Sequence, residues 1–294
     1  MVSSASIVGM ITSLVVVMAL PIGLFLGLRK RMRLHIVPLV AGAVVFIVFA
    51  LVLESLMHQV VLSPAADGTN RLLPDHPWLY VLYGTMAAGV FEETGRFVAF
   101  HILKKRFFGV RTAISYGIGH GGIEAVLLVG ASMVANLIFA ALINSGRSVP
   151  GPASVVDALT TTQPFMFYMA GVERILAIAL QLAFSVVVWV AVTRPGRWWL
   201  FPVAIAMHAA ADVPAAMYQA GKVGYQLVFG VLIATVVLFA VFAVHLTRQA
   251  LAEEKNAQVT AAAEENAAAE ASTAAVATAA DLQFDPPDPS QRAT

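Results

Sequence analysis

Cysteine is absent from the 294 residues, which excludes disulfides, thiolate-ligated zinc and a thiol nucleophile. Charge is nearly as scarce: Asp, Glu, Lys and Arg make up 12% of the chain, about half the share of a soluble domain. A formal net charge of +1 lacks the electrostatic footprint of a nucleic-acid partner. No basic residue precedes the first apolar run, which lasts to Leu28 and has its positive charges after it. That order predicts a retained first span rather than a cleaved leader. No internal repeat and no HExxH motif is present.

Apolar residues fill the space these absences leave, at 59% of the chain and a mean hydropathy of +0.81. The solvent for most of the chain is therefore lipid, and the fold is a matter of spans. Runs long enough to cross a bilayer fall near 6–28, 36–57, 77–103, 112–143, 165–193, 198–219 and 224–246. This predicts an all-α, polytopic bundle of seven transmembrane helices. Ten Lys or Arg sit in the loops after the first, third and fifth runs, against Arg71, Arg147 and Lys222 in the others. By the positive-inside rule the N-terminus is outside and the C-terminus cytoplasmic. The outer loops, 58–76 and 144–164, are rich in turn residues.

The fourth run is too long: 32 residues of helix would measure ~48 Å against a hydrocarbon core of ~30 Å. It is expected to tilt or to break near Gly117, Gly119, Gly121 and Gly122. Beyond residue 249 the composition turns to Ala, Glu, Thr and Asn. The chain is thus read as a membrane domain over 1–249 and a mostly disordered cytoplasmic tail over 250–294.

Against this background the stretch Phe91–Arg96, FEETGR, stands out. Two carboxylates and a guanidinium in a span cost several kcal/mol in lipid unless they are paired or hydrated. Helical spacing puts Arg96 within reach of Glu92 (four apart) and Glu93 (three apart). Pairing with one leaves the other free to act as a base. Two further pairs sit four apart on one helix face: His120 and Glu124 in GIGHGGIEA, His208 and Asp212 in MHAAAD. Counted along their helices, Glu92, His120 and His208 lie in one layer ~12–17 Å from the cytoplasmic surface. Glu173 and Arg174 are neighbours expected to seek partners on other helices. Glu54, near the end of its span, is expected to snorkel to the interface.

A glutamate base beside two histidines can activate water, and a histidine can stabilise a developing oxyanion. Those parts fit hydrolysis of a peptide bond within the membrane by direct attack of water, with no cofactor. The alternative is a zinc site made of His120, Glu124 and His208 with an open position. A third possibility is a proton-coupled transporter or a membrane scaffold without catalysis.

FEETGR, then GIGHGGIEA on the next span, then MHAAAD two spans later, resembles the YhfC family of bacterial membrane proteins. That family is grouped with the glutamic-type CAAX-protease and bacteriocin-processing proteins. The resemblance covers the third to sixth spans. It implies that Glu92 and His120 activate water, with Tyr116 at the family's aromatic position. It implies that His208 and Asp212 stabilise the oxyanion, and that Glu93 and Arg96 form a supporting ion pair. Two residues separate Glu93 from Arg96 where the wider family has three, and Asp212 stands where the prenyl endopeptidases have Asn. An ionised Asp would repel an oxyanion, so Asp212 is expected to orient His208. Glu124 matches the narrower YhfC likeness as a second base, a zinc ligand or a partner for Arg174. The expected protein is a multi-pass, inner-membrane endopeptidase acting on a membrane-embedded or lipidated peptide.

Overall fold

The computed structural model describes residues 1–64 and 70–282, with side chains as far as 273, and its regular elements are helical. Helix α1 (Ser4–Met32) starts where the Ser3 hydroxyl accepts the Ser6 amide proton at 3.1 Å, and it ends at Arg33 in a left-handed conformation. Helix α2 (Ile36–Phe46) widens into a π-helical segment, Ile47–Glu54, and continues as α3 (Ser55–Val61). Helix α4 (Pro77–Leu103) opens with a proline in its first turn, where the missing N–H costs nothing. Helix α5 (Val110–Glu124), a second π segment, Ala125–Gly130, and α6 (Ala131–Asn144) follow as one run. Next come α7 (Ala153–Thr161), α8 (Pro164–Thr193), α9 (Leu200–Gln219) and α10 (Tyr225–Leu282).

Among the described residues six helical runs are long and apolar enough to cross a membrane. They are α1, α2 to α3, α5 to α6, α8, α9 and the start of α10. The remaining one of the seven expected spans is α4, a 27-residue helix diluted by Glu92, Glu93 and Arg96. It packs against α2, α8 and α9 within the bundle, so its charges face protein. Reporter fusions after Arg33 and Arg197 are expected to report the cytoplasm, and a fusion at Pro152 the opposite side. A cytoplasmic signal at Pro152 would sink the orientation drawn from the basic loops.

The long fourth run does not break at its glycines. It changes to the wider π turn just after Glu124 and then resumes as α6. The glycines serve close approach instead. A Cβ on Gly119 would sit 1.8 Å from the Leu39 carbonyl oxygen, and one on Gly42 would sit 2.2 Å from that of Tyr116. Only glycine at both positions lets α2 and α5 touch backbone to backbone.

The chain divides into two units, Met1–Arg248 and Gln249–Thr294. In the second, the region expected from composition to be disordered is helical through Leu282, and 283–294 lie outside the described residues. Alanine and glutamate are strong helix formers, and that local preference suffices where almost every side chain described is exposed. The outer loop over 144–164 likewise contains a short helix, α7.

Candidate functional site

The pattern of polar residues along α4, α5, α8 and α9 converges on one buried network. Both carboxylate oxygens of Glu93 accept from Arg96 Nη1, at 2.5 and 2.6 Å, and neither side chain has any exposed surface. Helical spacing allows Arg96 to pair with either glutamate; it takes Glu93, and Glu92 is left outside the pair. The guanidinium also lies 5.9 Å from the ring centres of Tyr116 and Phe184, and its Nη2 donates to Gln181 Oε1.

Gln181, on α8, was not singled out from the sequence, yet it joins the parts. Its amide nitrogen donates to Glu92 Oε2 at 3.0 Å and to Glu124 Oε2 at 2.8 Å. A guanidinium can only donate and these carboxylates accept, so the chemistry fixes which end of the amide is nitrogen. The available signal was one amide inside the otherwise apolar run LAIALQLAF.

The histidines reach the same carboxylates. His120 Nε2 is 2.9 Å from Glu92 Oε2. The Nδ1 of His120 and the hydroxyl of Tyr116 are buried with no partner among the described residues. His208 Nδ1 is 2.7 Å from Glu93 Oε1. Because Arg96 keeps Glu93 an acceptor, that nitrogen carries the proton. The other nitrogen of His208 faces Asp212 Oδ2 at 3.6 Å and Glu92 Oε2 at 3.8 Å. The contact that orients His208 therefore comes from Glu93 rather than from Asp212, because the ion pair reaches across from α4 at hydrogen-bond distance. Phe184 stacks on the His208 ring, centre to centre 4.8 Å.

Arg174 finds the expected partner on another helix, its Nη1 donating to Glu124 Oε1 on α5 at 2.7 Å, while its Nε donates to the neighbouring Glu173 at 2.6 Å. A guanidinium is long enough to fold back on its neighbour and still cross to α5. The group placed so that it could hold a metal ion is Glu92, His120 and Glu124, with Glu92 where His208 was expected. The donor atoms of Glu92, His120 and Glu124 lie within 4.8 Å of one another, while Glu93 holds His208 to one side. Glu54 does not snorkel; the π segment that ends on it turns it inward, where it is buried and lies 3.3 Å from His58 Nε2.

A buried assembly of carboxylates, imidazoles and guanidinium groups inside a bundle of apolar helices defines a multi-pass cell-membrane protein with a polar intramembrane site. Residues 16–235 match the family described as YhfC intramembrane metalloprotease. The uncharacterized membrane protein YhfC of Bacillus subtilis (strain 168) is 31% identical over 251 residues, which cover 82% of this chain and 96% of that one. No solved structure matches the chain. The chain belongs to the YhfC intramembrane metalloprotease family.

Proposed function

We propose that this protein is an intramembrane endopeptidase that hydrolyses a peptide bond with a divalent metal, most simply zinc, at Glu92, His120 and Glu124. The observation that carries this reading is the buried meeting of Glu92, His120 and Glu124, one donor atom of each lying within 4.8 Å of the others. Two buried carboxylates this close repel each other unless a cation or a proton offsets their charge. One divalent cation offsets both.

The donors fit such an ion. Two carboxylates and an imidazole are a borderline-hard set of the kind that holds zinc with an open position. Their second contacts are in place: Gln181 and Arg174 hold Glu124, and Gln181 holds Glu92. When bound, the metal would polarise the scissile carbonyl and make water nucleophilic at neutral pH. Glu92 takes its hydrogen bonds through Oε2. Its Oε1 has none among the described residues and is not sealed, so it can accept the proton of the attacking water and return it to the leaving amine. His208, with Nδ1–H tied to Glu93, turns Nε2 toward the site, where its protonated form would donate to the developing oxyanion. The substrate is a membrane-embedded or lipidated peptide, since the site lies on membrane helices.

The direct Glu92–His120 hydrogen bond favours one second reading, the glutamic one of the wider CAAX-protease group. There the pair activates water without a metal, and protons offset the charge instead. Metal analysis of the purified protein separates the two. The expected result is one zinc per chain, lost with His120→Ala, and proteolysis abolished by chelators. Active protein without stoichiometric metal, indifferent to chelators, would replace the metal mechanism by the glutamic one.

A further inference from the structure

The two ends of the bundle treat the site differently. At one end Tyr80 of α4 donates to Gln219 of α9 at 2.8 Å; at the other Lys104 of α4 donates to the Val192 carbonyl of α8 at 3.1 Å. The second end carries the basic loops. Counted along α4, Glu92 lies 11 residues from Leu103 and 15 from Pro77, so it is nearer the basic end. Yet that side is closed. Phe100, eight residues beyond Glu92, meets Tyr116 at 4.7 Å and Trp189 at 5.2 Å between ring centres. All three rings are buried. Tyr116 precedes His120 on α5 and Trp189 follows Gln181 on α8, so the three form an aromatic plug between the network and the basic loops.

The polar groups with open surface lie on the opposite side. Asp212, between His208 and Gln219, has 43% of its side chain exposed, and Glu173, which precedes Gln181 on α8, has 32%. A line of side chains outside the network runs from the same end. Tyr83 hydroxyl and His58 Nδ1 are 2.8 Å apart, and His58 Nε2 is 3.3 Å from Glu54 Oε1. His58 is 31% exposed and lies in the last turn of α3, while Tyr83 is in the second turn of α4. Glu54 is buried at the end of the π segment that packs against α4, the helix of Glu92. Each of these groups can hold a water through two or more polar contacts, which apolar walls cannot do.

Hydrolysis consumes one water per turnover, and inside a bilayer that water needs a route. We infer that water enters from the end opposite the basic loops, along Tyr83, His58 and Glu54 to Asp212 and Glu92, while the Phe100–Tyr116–Trp189 plug closes the other end. This rests on Glu92 as the seat of hydrolysis, but it is tested without activity. The natural chain has no cysteine, so single cysteines report access directly. Glu54→Cys, Asp212→Cys and Trp198→Cys, the last in a basic loop, are exposed in membrane vesicles of each orientation to a charged, membrane-impermeant methanethiosulfonate. Glu54→Cys and Asp212→Cys are expected to label from the side opposite to Trp198→Cys. Adding His58→Phe to Glu54→Cys should slow its labelling by about an order of magnitude, because the ring removes the polar contacts a water needs. Asp212→Cys carries the same test on a side chain already open, should Glu54→Cys fail to accumulate. Labelling from the Trp198 side, or folded protein labelled from neither side, overturns the route. Neither result bears on the metal content or on the loss of cleavage that tests the chemistry.

Discussion

Glu92→Gln is expected to remove proteolysis while leaving the folded protein intact. The amide keeps the shape of the side chain, and its oxygen can still accept from Gln181 and His120. It cannot take the proton of a water, a function worth about 10²–10⁴-fold in rate, and it is a poorer metal ligand than a carboxylate. Both losses fall on the same step, so cleavage should drop to background when new protein termini are mapped in membranes carrying the variant or the natural chain. Thermal unfolding in detergent should stay within a few degrees of the metal-free natural chain, since the amide keeps the hydrogen bonds of Glu92 and leaves no unpaired charge. Full cleavage by the variant would remove Glu92 from the chemistry, and with it both the metal reading and the glutamic one.

Arg96→Ala should fail in the opposite way, in folding before chemistry. The guanidinium holds both oxygens of Glu93 and the carbonyl of Gln181, in a place with no exposed surface. Removing it strands Glu93, whose loss of partner is expected to cost about 3–5 kcal/mol. Arg96→Lys should recover little, because an ammonium cannot present a planar fork to two acceptors. Glu93→Gln combined with Arg96→Met should recover much of the stability, since it removes the charges together. The hold on His208 would be weakened, because an amide oxygen accepts its Nδ1–H without the help of a charge. Melting temperature and yield in detergent read the first effect, and cleavage reads the second. An Arg96→Ala protein as stable as the natural chain would show that the pair is not needed for the fold.

The residues that could be read from the sequence are those that break a strong background. An ionised side chain in an apolar run announces itself, so Glu92, Glu93, Arg96, His120, Glu124, His208 and Asp212 could all be picked out. Helical spacing put both Glu92 and Glu93 within reach of Arg96, and the resemblance pointed to Glu93. Gln181 carries no charge, and hydropathy passes over it although it touches three of those residues. Glu54 was misplaced because distance from the end of a span says how far a side chain must reach, not which way it points. The π segment before it sets the direction, and nothing in IVFALVLE distinguishes a π turn from an α turn. Depth along the helices put Glu92, His120 and His208 in one layer but does not say which of Glu92 and His208 closes on Glu124; it is Glu92 whose donor atom lies within 4.8 Å of those of His120 and Glu124. In the tail, composition gave the lack of an apolar face but underrated how well alanine and glutamate hold a helix.

The wider turns at Ala125–Gly130 have a consequence for the length of this chain. A π segment holds the surplus of a residue inserted into an α-helix. Deleting one residue between Ala125 and Gly130 would let the run close up as a continuous α-helix. With the surplus gone, every position after it would keep its face, and Met133 and Ala140 would stay beside Met10 and Phe167. The same deletion in the plain α-helix of α6, where no surplus is stored, would turn every later position by ~100° about the axis. The run thus tolerates a lost residue between Ala125 and Gly130 and nowhere else before Ala140 without rebuilding the seam between α1 and α6.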